Sequence, residues 1–165
     1  MESIVVWFTN GIGQHVSAEV MVFIISLMPI LEVRGGLLAA KLLGLPLLRA
    51  IPICVLGNLI PIPFILLLIL KILEWMKKIP GLCKFAFWLE KKAMNRSDSL
   101  EKGEFIGLLL FVGIPLPGTG AWTGSLLAAL MHIDFKKAWL AASIGVFLAT
   151  ILVSILWYGL LGLFF

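Results

Sequence analysis

Apolar residues fall in long blocks, and the short interruptions between the blocks define the elements. The first block, Val20 to Leu31, ends at Glu32 and Arg34, which Gly35-Gly36 follow. The chain is apolar again from Leu37 to Leu48 apart from Lys41, and carries no charge from Ala50 to Leu70. A helix needs about 20 apolar residues to cross a bilayer, so 50–70 is a predicted span. Pro52, Pro61 and Pro63 predict kinks or a break within it.

Residues 71–104 hold most of the charge. Leu82, Phe85, Ala86, Leu89 and Ala93 recur there at helical spacing, while Lys84, Lys91 and Lys92 fall largely on other faces. This predicts an amphipathic helix lying in the membrane interface, with Trp75 and Trp88 at headgroup depth. Asn95 to Lys102 reads as a polar loop. Residues 105–131 are uncharged but are cut by Ile114-Pro115-Leu116-Pro117-Gly118-Thr119-Gly120, which cannot continue a regular helix. His132, Asp134, Lys136 and Lys137 form a polar turn, and 138–165 is a second predicted span. Ala138, Ala142 and Gly145 place small residues at spacings that suit close helix packing.

Composition removes the soluble alternatives. Of 165 residues, 61% are hydrophobic and 13% charged, with a mean hydropathy of +1.12. A soluble domain of this length could not bury that much apolar surface. The expectation is an all-α integral membrane protein. The net charge of +4 then bears on orientation rather than on nucleic acid. Two cysteines are too few for a disulfide framework or metal site, and Cys54 reads as a buried thiol. No Lys or Arg precedes Arg34, so the basic start of a cleavable signal peptide is missing.

The two halves resemble each other. Leu37-Leu38-Ala39-Ala40 recurs as Leu126-Leu127-Ala128-Ala129. After a slip of one residue, Pro29, Arg49, Ala50 and Gly57 fall on Pro117, Lys137, Ala138 and Gly145. The expected organisation is one membrane domain over 1–165, with repeat 1 at about 16–70, a linker at 71–104 and repeat 2 at 105–165. Two topologies fit: either 19–43 and 105–131 are full spans, or each is a re-entrant helical hairpin with a mid-membrane tip. Placing the basic linker in the cytoplasm puts Lys136 and Lys137 there only in the hairpin arrangement, which therefore accords with positive-inside bias. One hairpin plus one transmembrane helix is an odd number of crossings, so the second repeat would be inverted. Inverted repeats with broken helices are characteristic of secondary transporters.

Glu32 and Arg34 are the leading candidates for function, because ionisable residues at bilayer depth are costly. In an unwound tip followed by Gly35 and Gly36, both side chains could enter one cavity. A carboxylate shielded from water can take up a proton, which suits proton coupling. A guanidinium offers a planar fork to phosphate or carboxylate. The competing reading is a structural ion pair. The second tip, Pro115 to Gly124, has no charge; Pro117, Gly118 and Gly120 shape it and free backbone N–H groups for an anion or substrate. Thr119 and Thr123 add hydroxyls, Trp122 adds an apolar wall, and a tight packed turn is the alternative. Asn58 could hydrogen-bond either tip or another helix. His132 and Asp134 are not expected to bind metal. No nucleophile–base pair, metal-ligand spacing or phosphate loop appears, so neither an enzyme nor a cofactor is expected.

Two motifs carry a resemblance. Pro29-Ile30-Leu31-Glu32-Val33-Arg34-Gly35-Gly36 and Ile114 through Gly124 are similar to the paired motifs of the small multidrug export family of prokaryotic membrane proteins. The likeness runs from about Val20 onward, although Leu37-Leu38 stand where that family often has a proline. The family also looks like a distant relative of the DedA/VTT membrane proteins. The resemblance implies facing re-entrant hairpins, Glu32 as the coupling or substrate-contacting acid and Arg34 as its basic partner. The expected function is a proton-coupled secondary transporter in the cell membrane. The alternatives are a translocase for polyprenyl-phosphate or phospholipid headgroups, and a non-transporting scaffold. Expected partners are membrane lipids, a small-molecule, ion or lipid substrate, and further copies of the chain.

Overall fold

A computed structural model describes residues 17–95 and 103–160. The amino-terminal segment, the 96–102 part of the expected polar loop and residues 161–165 lie outside the described residues. Every regular element among the described residues is helical.

The first half contains α1 (Ala18–Leu27), α2 (Glu32–Leu42), α3 (Leu47–Leu59) and α4 (Pro61–Lys77). Then comes α5 (Cys83–Met94), and the second half contains α6 (Glu104–Gly113), α7 (Ala121–Leu130) and α8 (Phe135–Ser154), which continues as a π-helical turn at Ile155–Leu160. Helices α1, α2, α6 and α7 have 10, 11, 10 and 10 residues. At 1.5 Å per residue each is roughly 15 Å long, half the thickness of a bilayer core. Two stretches are long and apolar enough to cross a membrane: Leu47–Lys77, with 31 residues, and Phe135–Gly159, with 25. The first exceeds the predicted 50–70. Ile60 keeps helical backbone angles and Pro61 occupies the first position of α4, where a missing N–H costs nothing. The prolines therefore mark a junction without separating the two helices.

The halves share element order and turn chemistry. Both α2 and α7 end in the same motif. Leu45 N–H donates to Ala40 C=O and Gly44 N–H to Lys41 C=O. Ile133 N–H donates to Ala128 C=O and His132 N–H to Ala129 C=O. The left-handed position is Gly44 (φ 71°) in one half and His132 (φ 55°) in the other. Histidine pays a steric cost there that glycine does not. His132→Gly is therefore expected to stabilise the protein by about 1 kcal/mol, read as a higher midpoint of thermal unfolding in detergent. Asp134 begins α8 by accepting from Lys136 N–H and Lys137 N–H, the local device of a helix start.

Packing inside each half follows the small residues. Ala50, Ala138 and Ala142 are buried. A Cβ on Gly57 would come within 2.9 Å of Phe23 C=O in α1, and one on Gly145 within 2.9 Å of Leu109 C=O in α6. Each long helix is thus crossed by the first short helix of its half at backbone contact. Cys54 is buried in the first half, as a free thiol.

The linker differs from expectation. Residues 71–77 belong to α4, and α5 is confined to 83–94. Of its apolar side chains, Ala86 and Leu89 face inward onto the cluster containing Leu73 and Leu126. Leu82 and Phe85, read as part of the same stripe, are exposed with Phe87 and Trp88. Lys77 Nζ and Glu90 Oε1 pair at 2.6 Å and tie α5 back to α4.

Candidate functional site

The first break lies at Met28–Leu31, four residues earlier than the unwound tip expected at 32–36. Pro29 sits in this turn, and Glu32 N–H donates to Met28 C=O. Glu32, Arg34, Gly35 and Gly36 all belong to the start of α2. The glycine pair is therefore not a flexible tip. Gly35 lies against Leu31, and Gly36 against Ser26 and Cys54, where a side chain would collide with α1 and α3. Glu32 itself takes a left-handed conformation (φ 48°), which is uncommon for a residue with a Cβ and costs about 1–3 kcal/mol.

That backbone twist aims the Glu32 side chain at the second tip. Glu32 is 5% exposed, and its carboxylate accepts from Ala121 N–H (Oε2, 3.2 Å) and Trp122 N–H (Oε1, 3.0 Å). These are the first two N–H groups of α7, which a helix leaves unpaired. The residue before them, Gly120, has no side chain to cap them. Glu32 therefore performs across the two halves the capping that Ser17 and Asp134 perform locally. When ionised, its negative charge also meets the positive end of the α7 dipole. The anion expected to meet the second tip's N–H groups is, in this structure, the protein's own carboxylate.

Arg34 makes the second bridge. Nη1 donates to Leu116 C=O at 2.6 Å, and Nη2 to Thr119 C=O (3.1 Å) and Thr119 Oγ1 (3.0 Å). Thr119 Oγ1 in turn lies 2.9 Å from Ile114 C=O and 2.8 Å from Leu116 C=O, which holds the turn in shape. Trp122 Nε1 donates to Leu27 C=O at 3.1 Å, a third link between the halves. Among the described residues Glu32 and Arg34 form no ion pair with each other within 4 Å. Each reaches across to the other half instead.

A cavity of about 390 Å³ opens beside this junction. Glu32, Arg34, Gly118, Thr119 and Thr123 line it, so these sequence candidates do come together. Its remaining walls are Pro29, Ile30 and Leu126, with Leu89 and Lys92 from α5. The last two were missed, because nothing local in the linker shows that it folds back over the tips. Several candidates lie elsewhere. Gly35 and Gly36 are packing positions, Pro115 is half-buried in the turn, and Pro117 borders a different cavity with Phe111 and Leu116. Asn58 is buried in α3, and its Oδ1 has no hydrogen-bond partner among the described residues. No cluster of His, Cys, Asp and Glu suited to a metal occurs among the described residues.

The family model described as "Putative small multi-drug export protein" matches residues 32–152. That stretch contains both bridging side chains, the second tip and α5. No curated protein and no solved structure matches the chain.

Proposed function

Since the chain belongs to the family described as "Putative small multi-drug export protein", we propose that it is a membrane transporter whose coupling element is the junction between the two tips. The observation that carries this reading is the Glu32 carboxylate seated on the α7 N-terminus of the opposite half. A buried carboxylate in that position is a latch. Ionised, it accepts two charge-assisted hydrogen bonds and holds the tips together. Protonated, it is a weaker acceptor and loses its attraction to the helix dipole, so the tips are freed to separate. An exchange between these two states gives a two-state element that a proton can bias.

The short paired helices fit re-entrant hairpins in two inverted halves. Irregular backbone at the tips is tolerable at membrane depth where it is covered by protein. The long stretches Leu47–Lys77 and Phe135–Gly159 would be the spans, with α5 on the cytoplasmic face of the cell membrane. Exposed apolar side chains on both spans suit lipid or a second copy of the chain.

A static cross-link is the competing reading, favoured by one observation: both charged side chains already have protein partners. Spin labels separate the two. Ile30 and Leu116 lie on opposite tips and are exposed, so cysteines there can be labelled in a Cys83→Ser background. The transport reading predicts one short inter-label distance in alkaline nanodiscs, a second and longer population in acid, and that longer population at every pH in Glu32→Gln. A single unchanged distance under all these conditions would establish the static cross-link.

A further inference from the structure

We infer that the outer face of α5 is a docking surface for anionic lipid: the cavity bounded by Trp88, Lys91, Lys92 and Asn95 seats the charged headgroup of a phospholipid in the leaflet that α5 lies against. The partner is a resident lipid of the bilayer and is not the transported species. The surface is separate from the Glu32–Arg34 junction and goes beyond the transport reading.

Helical geometry divides α5 into two faces. Ala86 is fully buried, and Leu89 packs with it on the cluster of Leu73 and Leu126. Trp88 stands on the other side. Lys84, Phe85, Lys91 and Lys92 lie three or four positions from it and share its face. All five are exposed. Their contacts follow that geometry. The Phe85 and Trp88 rings stack with centroids 5.7 Å apart, and the Lys92 ammonium lies 4.6 Å from the centre of the Trp88 ring. A cavity of about 290 Å³ lies among Trp88, Lys91, Lys92 and Asn95. That is at the lower end of small-molecule pockets and suits a single headgroup.

Charge and placement name the occupant. The one carboxylate of α5, Glu90, is paired with Lys77 of α4. Lys84, Lys91 and Lys92 have no carboxylate partner among the described residues. The Trp88 contact orients the Lys92 ammonium while leaving its donors available. Three unpaired cations do not suit hydrocarbon, and an exposed pair of large aromatic rings does not suit bulk water. The headgroup layer of a bilayer satisfies both, because aromatic rings sit at its boundary and lysines meet the lipid phosphates there. The chain offers α5 to that layer, since the helix begins at Cys83, just beyond the end of the long apolar stretch Leu47–Lys77. A face whose charges are all positive selects anionic over zwitterionic lipid.

The test is quenching of Trp88 by lipids brominated on their acyl chains. The full chain is reconstituted in phosphatidylcholine vesicles that contain either brominated phosphatidylglycerol or brominated phosphatidylcholine at the same mole fraction. The share of emission due to Trp88 is the difference between wild type and Trp88→Phe. Brominated phosphatidylglycerol is expected to quench that share with about fivefold higher apparent affinity, and high salt should shrink the preference. The double variant Lys91→Gln/Lys92→Gln should bring the two lipids level. Lys91→Arg/Lys92→Arg should keep the preference, because the charge is kept. Lys136→Gln/Lys137→Gln, which removes two cations from the start of α8, should behave like wild type. Equal quenching by the two lipids in wild type would overturn the proposal, as would a preference that survives in Lys91→Gln/Lys92→Gln. An equal loss in Lys136→Gln/Lys137→Gln would also overturn it, leaving only attraction to the net charge. Quenching of Trp88 by neither lipid would place the face in water and overturn the docking. No gradient is applied, so these outcomes are independent of whether Glu32 couples transport to protons.

Discussion

Gly120→Ala is expected to destroy the junction between the two halves. Gly120 has φ 137°, a conformation closed to residues with a Cβ. A methyl group added there would also fall inside the Glu32 carboxylate. Neither problem has a cheap solution. Moving the carboxylate away strips α7 of its cap and leaves a buried charge without its hydrogen bonds, which costs about 3–5 kcal/mol. Restoring a permitted φ moves the start of α7, and with it the N–H groups of Ala121 and Trp122. The combined loss is a large fraction of the stability of any small domain. The expected result is a protein that unfolds at much lower temperature in detergent and has no latch. Thermal unfolding of Gly120→Ala beside Gly44→Ala checks this. Gly44 also has a positive φ, but a Cβ there meets nothing within 4 Å. The Gly44 variant should lose only about 1 kcal/mol, and the excess loss in Gly120→Ala combines the steeper backbone penalty at φ 137° with the collision with Glu32.

That collision explains why the second tip is glycine-rich at this point, and the sequence could not have shown it. Gly120 read as a residue that frees the backbone for an external anion. Its actual neighbour is a carboxylate from the far half of the chain, and no local pattern encodes that meeting. That each half is broken was legible, from the charges and glycine pair at 32–36 in one and the Pro115–Gly120 run in the other, although the first break in fact falls earlier, at Pro29. The exact restart of the first was not. Gly35-Gly36 look like a flexible turn from their own chemistry, and become packing positions only once Ser26, Leu31 and Cys54 are placed beside them. Glu32 and Arg34 stood out because charge is rare in such apolar surroundings. Their direction did not, because side chains two residues apart on an ordinary helix diverge. The left-handed backbone at Glu32 and the approach of α7 bring both onto the second tip.

The linker shows the same division. Helical spacing made α5 legible as a helix, and its charge marked it as distinct from the spans. Which apolar residues would face inward was a tertiary matter. Ala86 and Leu89 are covered by Leu73 and Leu126, while Phe85 and Trp88 stay outside. Lys92, one of many lysines in that segment, borders the cavity beside the junction only because of this docking. The small-residue spacing of Ala138, Ala142 and Gly145 carried further, because close helix contact depends on size and needs no particular partner.

Transport coupled to Glu32 is the central claim, and flux into proteoliposomes tests it most directly. Vesicles holding purified wild-type protein or Glu32→Gln would be offered labelled anionic and cationic amphiphiles and a labelled phospholipid, with and without a pH gradient. Gln keeps the size of the side chain and one acceptor oxygen but cannot exchange a proton. It loses about 1–3 kcal/mol of charge-assisted capping, little enough for helical content and monodispersity to verify that it is folded. Wild-type protein is expected to move at least one probe faster when the pH gradient is present. Glu32→Gln should move that probe at the same rate with and without the gradient. Gradient-driven flux that survives in Glu32→Gln would contradict the account, as would wild-type vesicles that move no probe faster than empty ones.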